Sequence, residues 1–122
     1  MIEKIKELCL KNQSVESCGL FILKKDDNLL YFPCKNIHSS PETDFEISVK
    51  DFLEAEKLGE VIGIYHSHTK SCLPEPSSFD YSYSELTGYF NIIYIMNSDK
   101  ICVVDPDKKL TKEIKDKIKL QK

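Results

Sequence analysis

His66, Ser67 and His68, followed by Ser77 and Asp80, place two imidazoles, a hydroxyl and a carboxylate within fifteen positions. The stretch before them, Glu60-Val61-Ile62-Gly63-Ile64-Tyr65, reads as a buried strand. Side chains at i and i+2 of an extended segment point the same way, so His66 and His68 can converge on one point. Asp80 returns after a Pro-rich loop with a hard oxygen ligand. Two His and one Asp leave a fourth tetrahedral position open, the arrangement of a catalytic rather than a structural zinc site. That makes the chain a candidate metallohydrolase.

A zinc ion with three protein ligands keeps one position for water and lowers that water's pKa to about 7. Hydrolysis still needs a general base to take the water proton and return it to the leaving amine. The sequence offers Glu16, just before a strand at 18–23 that could pair beside the strand ending in His66. Ser77 could donate a hydrogen bond to the carbonyl oxygen as it becomes an oxyanion, worth roughly 3 kcal/mol if well aimed. Each residue has a plainer role as well. Two His around one residue can arise by chance, and Ser77 could simply cap a helix. The joint pattern is far harder to obtain that way.

The elements that must position these groups follow from periodicity. Ile2, Ile5, Leu8 and Cys9 recur at helical spacing, which predicts an amphipathic helix over 2–12. Strands are expected at 18–23 and 29–33 around the polar turn Lys25-Asp26-Asp27-Asn28, giving a hairpin. Phe45-Glu46-Ile47 is brief and extended. Ser48-Val49-Lys50-Asp51 resembles a capping box that opens a helix through Leu58, with Gly59 placed to close it in a left-handed conformation. The metal strand is expected over 60–66 and a loop over 67–77. A helix then runs from Ser77 or Ser78 to Thr87, ended by Gly88. Strands at 90–96 and 101–105 flank the turn Asn97-Ser98-Asp99-Lys100, and the tail from Lys109 leans helical. Interleaved strands and helices imply a mixed α+β fold, a mixed sheet flanked by helices, in one domain over 1–122 with a peripheral tail at 106–122.

The 122 residues, 41% hydrophobic and 30% charged with a net charge of −3, are ordinary for a globular domain. All 17 basic residues are Lys, and the absence of Arg argues against dedicated nucleic-acid binding. No apolar run approaches a membrane span, and the amphipathic N-terminus is no signal sequence, so a cytoplasmic location is expected. Cys9, Cys18, Cys34, Cys72 and Cys102 form an odd, widely spaced set without a Cys-x-x-Cys pair. That favours small buried thiols over a disulfide framework.

His66-Ser67-His68 with Pro76-Ser77-Ser78-Phe79-Asp80 resembles the JAMM (MPN+) metallopeptidase signature, His-x-His followed by Pro-Ser-x-x-Asp. Val15-Glu16-Ser17-Cys18-Gly19-Leu20 resembles the upstream element of that family. Pro33 to Ile37, Phe45 to Ser48, and Ala55-Glu56 before Gly59-Glu60-Val61-Ile62-Gly63 are similar to prokaryotic and phage-tail-type members. The resemblance covers roughly residues 1–105. It implies a cytidine-deaminase-like mixed sheet in a JAB/MPN domain, with His66, His68 and Asp80 as Zn²⁺ ligands. It also implies Glu16 as base, Ser77 as oxyanion stabiliser, and hydrolysis of peptide or isopeptide bonds. Substrates of the family often end in the Gly-Gly of ubiquitin or a ubiquitin-like protein. Bacterial relatives act on sulfur-carrier proteins or belong to phage tail assembly. Two departures stand out. Thr69 occupies a position that is commonly Pro, although some prokaryotic members carry Thr, and eight rather than seven residues separate His68 from Ser77. The Ser-x-x-Asp spacing favours Ser77 over Ser78.

Rival assignments are fewer in their support. Ser17-Cys18-Gly19-Leu20 resembles the nucleophile segment of NlpC-type cysteine peptidases, but Cys18 opens an apolar run, which suggests burial. A non-catalytic scaffold of the same fold would be defined by missing ligands, and none is missing. Cys72 invites a fourth-ligand or latch role, against a default of a loop thiol. His38 reads as a solvated loop residue. Tyr81, Tyr83, Tyr89 and Phe90 read first as packing and second as a groove. A peptide substrate would add as a strand at a sheet edge, and the loops 34–47 and 67–78 are the candidates for specificity.

Overall fold

The computed structural model describes residues 1–69, 72 and 74–120. Lys70, Ser71 and Leu73, within the loop 67–78 expected to carry specificity, lie outside the described residues, as do 121 and 122. The chain runs α1 (Ile2–Lys11), β1 (Cys18–Leu23), β2 (Leu29–Cys34), α2 (Val49–Glu56), β3 (Glu60–His68), α3 (Ser78–Thr87), β4 (Phe90–Ile95), β5 (Lys100–Val104) and α4 (Lys112–Ile118). A short 3₁₀ turn, Met96–Ser98, links β4 to β5.

The five strands form one mixed sheet in the order β2-β1-β3-β4-β5. β1 pairs antiparallel with both β2 and β3, β3 pairs parallel with β4, and β4 pairs antiparallel with β5. This is the mixed α+β architecture that the alternation of periods predicts. The parallel step requires a crossover, supplied by the loop after His68 and α3.

Each face of the sheet is covered. Ile2, Ile5 and Cys9 of α1, spaced three and four apart, pack with Ile118 of α4 on Phe21, Tyr65, Phe90, Ile92 and Tyr94. On the other face, Ala55 and Phe52 of α2 and the loop residues Phe45 and Ile47 pack on Cys18, Leu20, Ile22 and Ile64. Strand alternation therefore puts His66 on the second face and Ser67 on the first. Among the described residues no helix is long and apolar enough to cross a membrane.

Several boundaries shift. β3 continues to His68, two residues past the expected end, because Ser67 and His68 pair in parallel with Tyr94 and Ile95. Phe45-Glu46-Ile47 forms no strand; its apolar side chains pack while its backbone stays irregular. Ser48 does accept a hydrogen bond from Asp51 N–H at 3.1 Å, but α2 stops at Glu56. Gly59 is not left-handed, contrary to expectation: Lys57 caps α2 in a right-handed conformation, and Gly88 is the one glycine with positive φ. Gly59 answers to close approach instead, since a Cβ there would lie 2.6 Å from the carbonyl oxygen of Leu23. Gly88 ends α3 as expected, at φ 75°.

Candidate metal centre

His66 and His68 lie among the last three residues of β3, both buried, with ring centroids 5.2 Å apart. Asp80 reaches them from the first turn of α3. That turn is locked by a capping box. Asp80 N–H donates to Ser77 Oγ at 3.1 Å, and Ser77 N–H donates to Asp80 Oδ2 at 2.8 Å. The Ser-x-x-Asp spacing thus fixes the carboxylate orientation before any partner is considered. Ser77, not Ser78, is the N-cap, and both line the cleft.

The ligand atoms of His66, His68 and Asp80 all lie within 4.8 Å of one another. His66 Nε2 is 3.2 Å from Asp80 Oδ1, and His68 Nε2 is 3.1 Å from Asp80 Oδ2. A tetrahedral zinc with bonds of about 2.0–2.1 Å holds its ligand atoms about 3.4 Å apart, so each imidazole is already near that spacing from Asp80.

Protonation explains why this group could hold a cation. Burial lowers the pKa of His66 despite the pull of Asp80, favouring the neutral ring. Its Nδ1 is 3.1 Å from Asn91 Oδ1, an acceptor, so Nδ1 carries the proton and Nε2 keeps a lone pair. That Nε2 is buried and, among the described residues, makes no hydrogen bond despite its closeness to Asp80. For Asp80, burial works against ionisation, but the closeness of the His66 and His68 rings and the hydrogen bond from Ser77 N–H outweigh it and hold the carboxyl well below its ordinary pKa. A bare imidazole lone pair facing a buried carboxylate is unfavourable without a cation between them. The donor set, two imidazoles and one carboxylate, suits zinc.

A cavity of about 280 Å³ opens beside these groups, lined by Glu16, Asp44, Phe45, His68, Cys72 and Ser77, among others. Glu16 is only 3% exposed. Burial pushes its carboxyl up to about 7, against the hydrogen bond from Cys72 and the charge of His68; Asp80 and Asp44 push the same way as burial. A carboxyl that titrates near neutrality is suited to both accepting and returning a proton. All five residues singled out in the sequence therefore meet in one place.

Other residues earn a part that sequence reasoning did not foresee. Asn91 comes from β4, 25 positions beyond His66, and its alternation within an otherwise apolar strand, Phe90-Asn91-Ile92-Ile93, was the available signal. Phe45 stacks on the His66 ring at 4.4 Å. Phe79, 54% exposed, stands beside it at 6.3 Å and forms an apolar wall with Tyr83. Cys72 donates to Glu16 Oε2 at 3.1 Å rather than reaching the imidazoles.

The rivals fare differently. Cys18 is buried and its thiol is pushed up to about 12 by burial first, with nearby Cys34 and Glu16 adding to it, which is the reverse of an activated nucleophile. His38 is half-buried and its Nδ1 accepts from Ser40 N–H at 2.9 Å. Phe90 packs in the core, as Tyr83 and Tyr89 do in part, whereas Tyr81 is 51% exposed.

Over 72 residues, 59% of this chain, the sequence is 35% identical to the tail tip assembly protein K of Escherichia phage N15. That stretch is 29% of the phage protein, so the chain corresponds to under a third of that relative's length. Residues 1–107 match the family described as prokaryotic homologs of the JAB domain, and the mixed sheet flanked by helices is consistent with a JAB/MPN domain. With a buried His-His-Asp group that could hold a metal ion, and a family match over almost its whole length, the chain belongs to the prokaryotic homologs of the JAB domain.

Proposed function

We propose that this domain is a zinc-dependent hydrolase of peptide or isopeptide bonds. The observation that carries this is the buried, unpaired Nε2 of His66 facing the Asp80 carboxylate, with a proton acceptor of raised pKa, Glu16, in the same cleft. His66, His68 and Asp80 would hold Zn²⁺, which supplies a Lewis acid and an activated water at neutral pH.

The residues then divide the work. Glu16 takes a proton from the attacking water as its oxygen forms a bond to the scissile carbonyl carbon. The same carboxyl returns that proton to the departing nitrogen as the carbon–nitrogen bond breaks. Ser77 Oγ already accepts from Asp80 N–H, so its own hydrogen is available to the carbonyl oxygen as negative charge develops there. Phe45 and its neighbours shield one side of His66 from water, which strengthens these electrostatic effects.

Substrates are proteins or peptides, with two classes favoured: ubiquitin-like or sulfur-carrier proteins ending in Gly-Gly, and precursors in phage tail assembly. The second is suggested by the similarity to the tail tip assembly protein of phage N15. Five unbridged thiols suit the reducing cytoplasm. Zinc-loaded protein and a Glu16→Gln variant are to be incubated with Gly-Gly fusions and tail-protein precursors, with cuts located by mass spectrometry. Cleavage by the native protein alone, with one zinc bound to each, is expected. Equal cleavage by Glu16→Gln would sink the mechanism, and no cleavage of any substrate with zinc bound would favour a scaffold role.

A further inference from the structure

Glu16 is asked to move a proton, so something must hold its carboxyl. Among the described residues one hydrogen bond reaches that carboxylate, from Cys72 Sγ to Oε2 at 3.1 Å. Cys72 is itself tied down, its N–H donating to Thr69 O at 3.0 Å. Thr69 Oγ1 lies 3.7 Å from Cys72 Sγ and donates to Glu42 O at 2.7 Å. The adjoining Pro41 carbonyl accepts from Glu16 N–H at 2.7 Å. These contacts close a ring: the Glu16 backbone, the loop at Pro41-Glu42, Thr69, Cys72, and the Glu16 side chain.

We propose that Cys72 is the positioning residue for Glu16, its thiol holding Oε2 so that Oε1 is the oxygen that exchanges the proton. The proposal rests on the hydrolytic role given to Glu16 above. It accounts for both departures from the family pattern together. Proline at 69 has no hydroxyl to tie the loop to Glu42, and the longer segment after His68 carries the thiol. A serine in place of Cys72 keeps a donor on the same side-chain frame, whereas alanine removes it.

The test uses the full chain as native protein, Cys72→Ser and Cys72→Ala. The first readout is the titration of the Glu16 carboxyl carbon by NMR in metal-free protein. The other titratable groups that act on it, His68, Asp80 and Asp44, are common to all three proteins, and so is Glu75 in the same cleft. Losing a donor to the ionised form should raise the Glu16 titration by about one pH unit in Cys72→Ala and restore it in Cys72→Ser. With zinc bound, Cys72→Ala should lose about tenfold in kcat with KM unchanged, and the acidic limb of its pH profile should move up. Identical Glu16 titration in all three proteins would overturn the proposal, and so would loss of zinc from Cys72→Ala, which would make the thiol a metal ligand. A shift in Cys72→Ala that Cys72→Ser reverses supports it even if the native protein cuts no substrate. That last result would count against the hydrolytic role alone.

Discussion

Ser17 and Ser67 are joined by two hydrogen bonds: Ser17 N–H donates to Ser67 Oγ at 2.9 Å, and Ser67 N–H donates to Ser17 O at 3.0 Å. The pair sits at the end of the β1–β3 pairing, next to Glu16 just before β1 and between the two histidines on β3. Because Ser67 points to the opposite face from His66 and His68, it anchors the base without occupying the metal face. One clamp therefore sets the distance between the proposed base and the proposed ligands.

Asn91 should matter to the metal without touching it. Its Oδ1 accepts from His66 Nδ1 and keeps Nε2 as the donor atom. Partners of this kind are typically worth 10–100-fold in metal affinity. Asn91→Ala should weaken zinc binding by that factor in a chelator-competition titration, and Asn91→Asp, which keeps an acceptor, should recover most of it. Equal affinities for the native protein and Asn91→Ala would show that the ring is oriented by packing on Phe45.

Glu16 should make metal-free stability depend on pH with a definite sign. Its folded pKa, about 7, lies above the ordinary 4.5, so the folded state binds this proton more tightly than the unfolded state does. The stability contribution is fully present below about pH 4.5 and is lost as pH rises through 7. Glu16→Gln cannot ionise. Its advantage over the native protein should grow from near zero at pH 4.5 to at most about 3 kcal/mol at pH 8, at 1.36 kcal/mol per unit. Urea unfolding at the two pH values with chelator present checks this, and a constant difference would contradict it.

Ser77 combines a structural and a chemical duty that substitutions can separate. Glycine is nearly as good an N-cap as serine, within a few tenths of a kcal/mol, whereas alanine costs about 1 kcal/mol. Both lack the hydroxyl hydrogen. Ser77→Gly should melt close to the native protein and Ser77→Ala lower, while both lose about 100-fold or more in kcat. If turnover tracked stability across the pair, capping alone would explain this serine.

Gly59 distinguishes close approach from a left-handed turn. A left-handed position tolerates Asn. Contact with the Leu23 carbonyl at 2.6 Å tolerates no Cβ at all. Gly59→Ala and Gly59→Asn should each destabilise by about 1–3 kcal/mol in thermal or urea unfolding, in the range for overpacking. A well-folded Gly59→Asn with a failing Gly59→Ala would point back to the turn.

The proposed ligands were legible because they are local. His66 and His68 share a face through the period of two of a strand, and Ser77 and Asp80 share a turn through a four-residue capping pattern. Periodicity likewise exposed the strand that follows Glu16, and the tail helix, Lys112–Ile118, followed its Ile114 and Ile118 stripe. What remained hidden depends on pairs far apart in the chain, whose meeting is set by sheet order and loop path rather than by neighbouring residue types. Asn91 reaches His66 only because β4 lies parallel beside β3. Cys72 meets Glu16 across 56 positions, and Gly59 meets Leu23 because β3 starts against the end of β1. The candidate site of this domain was thus written in short-range spacing, whereas the partners that orient each group came from the packed sheet.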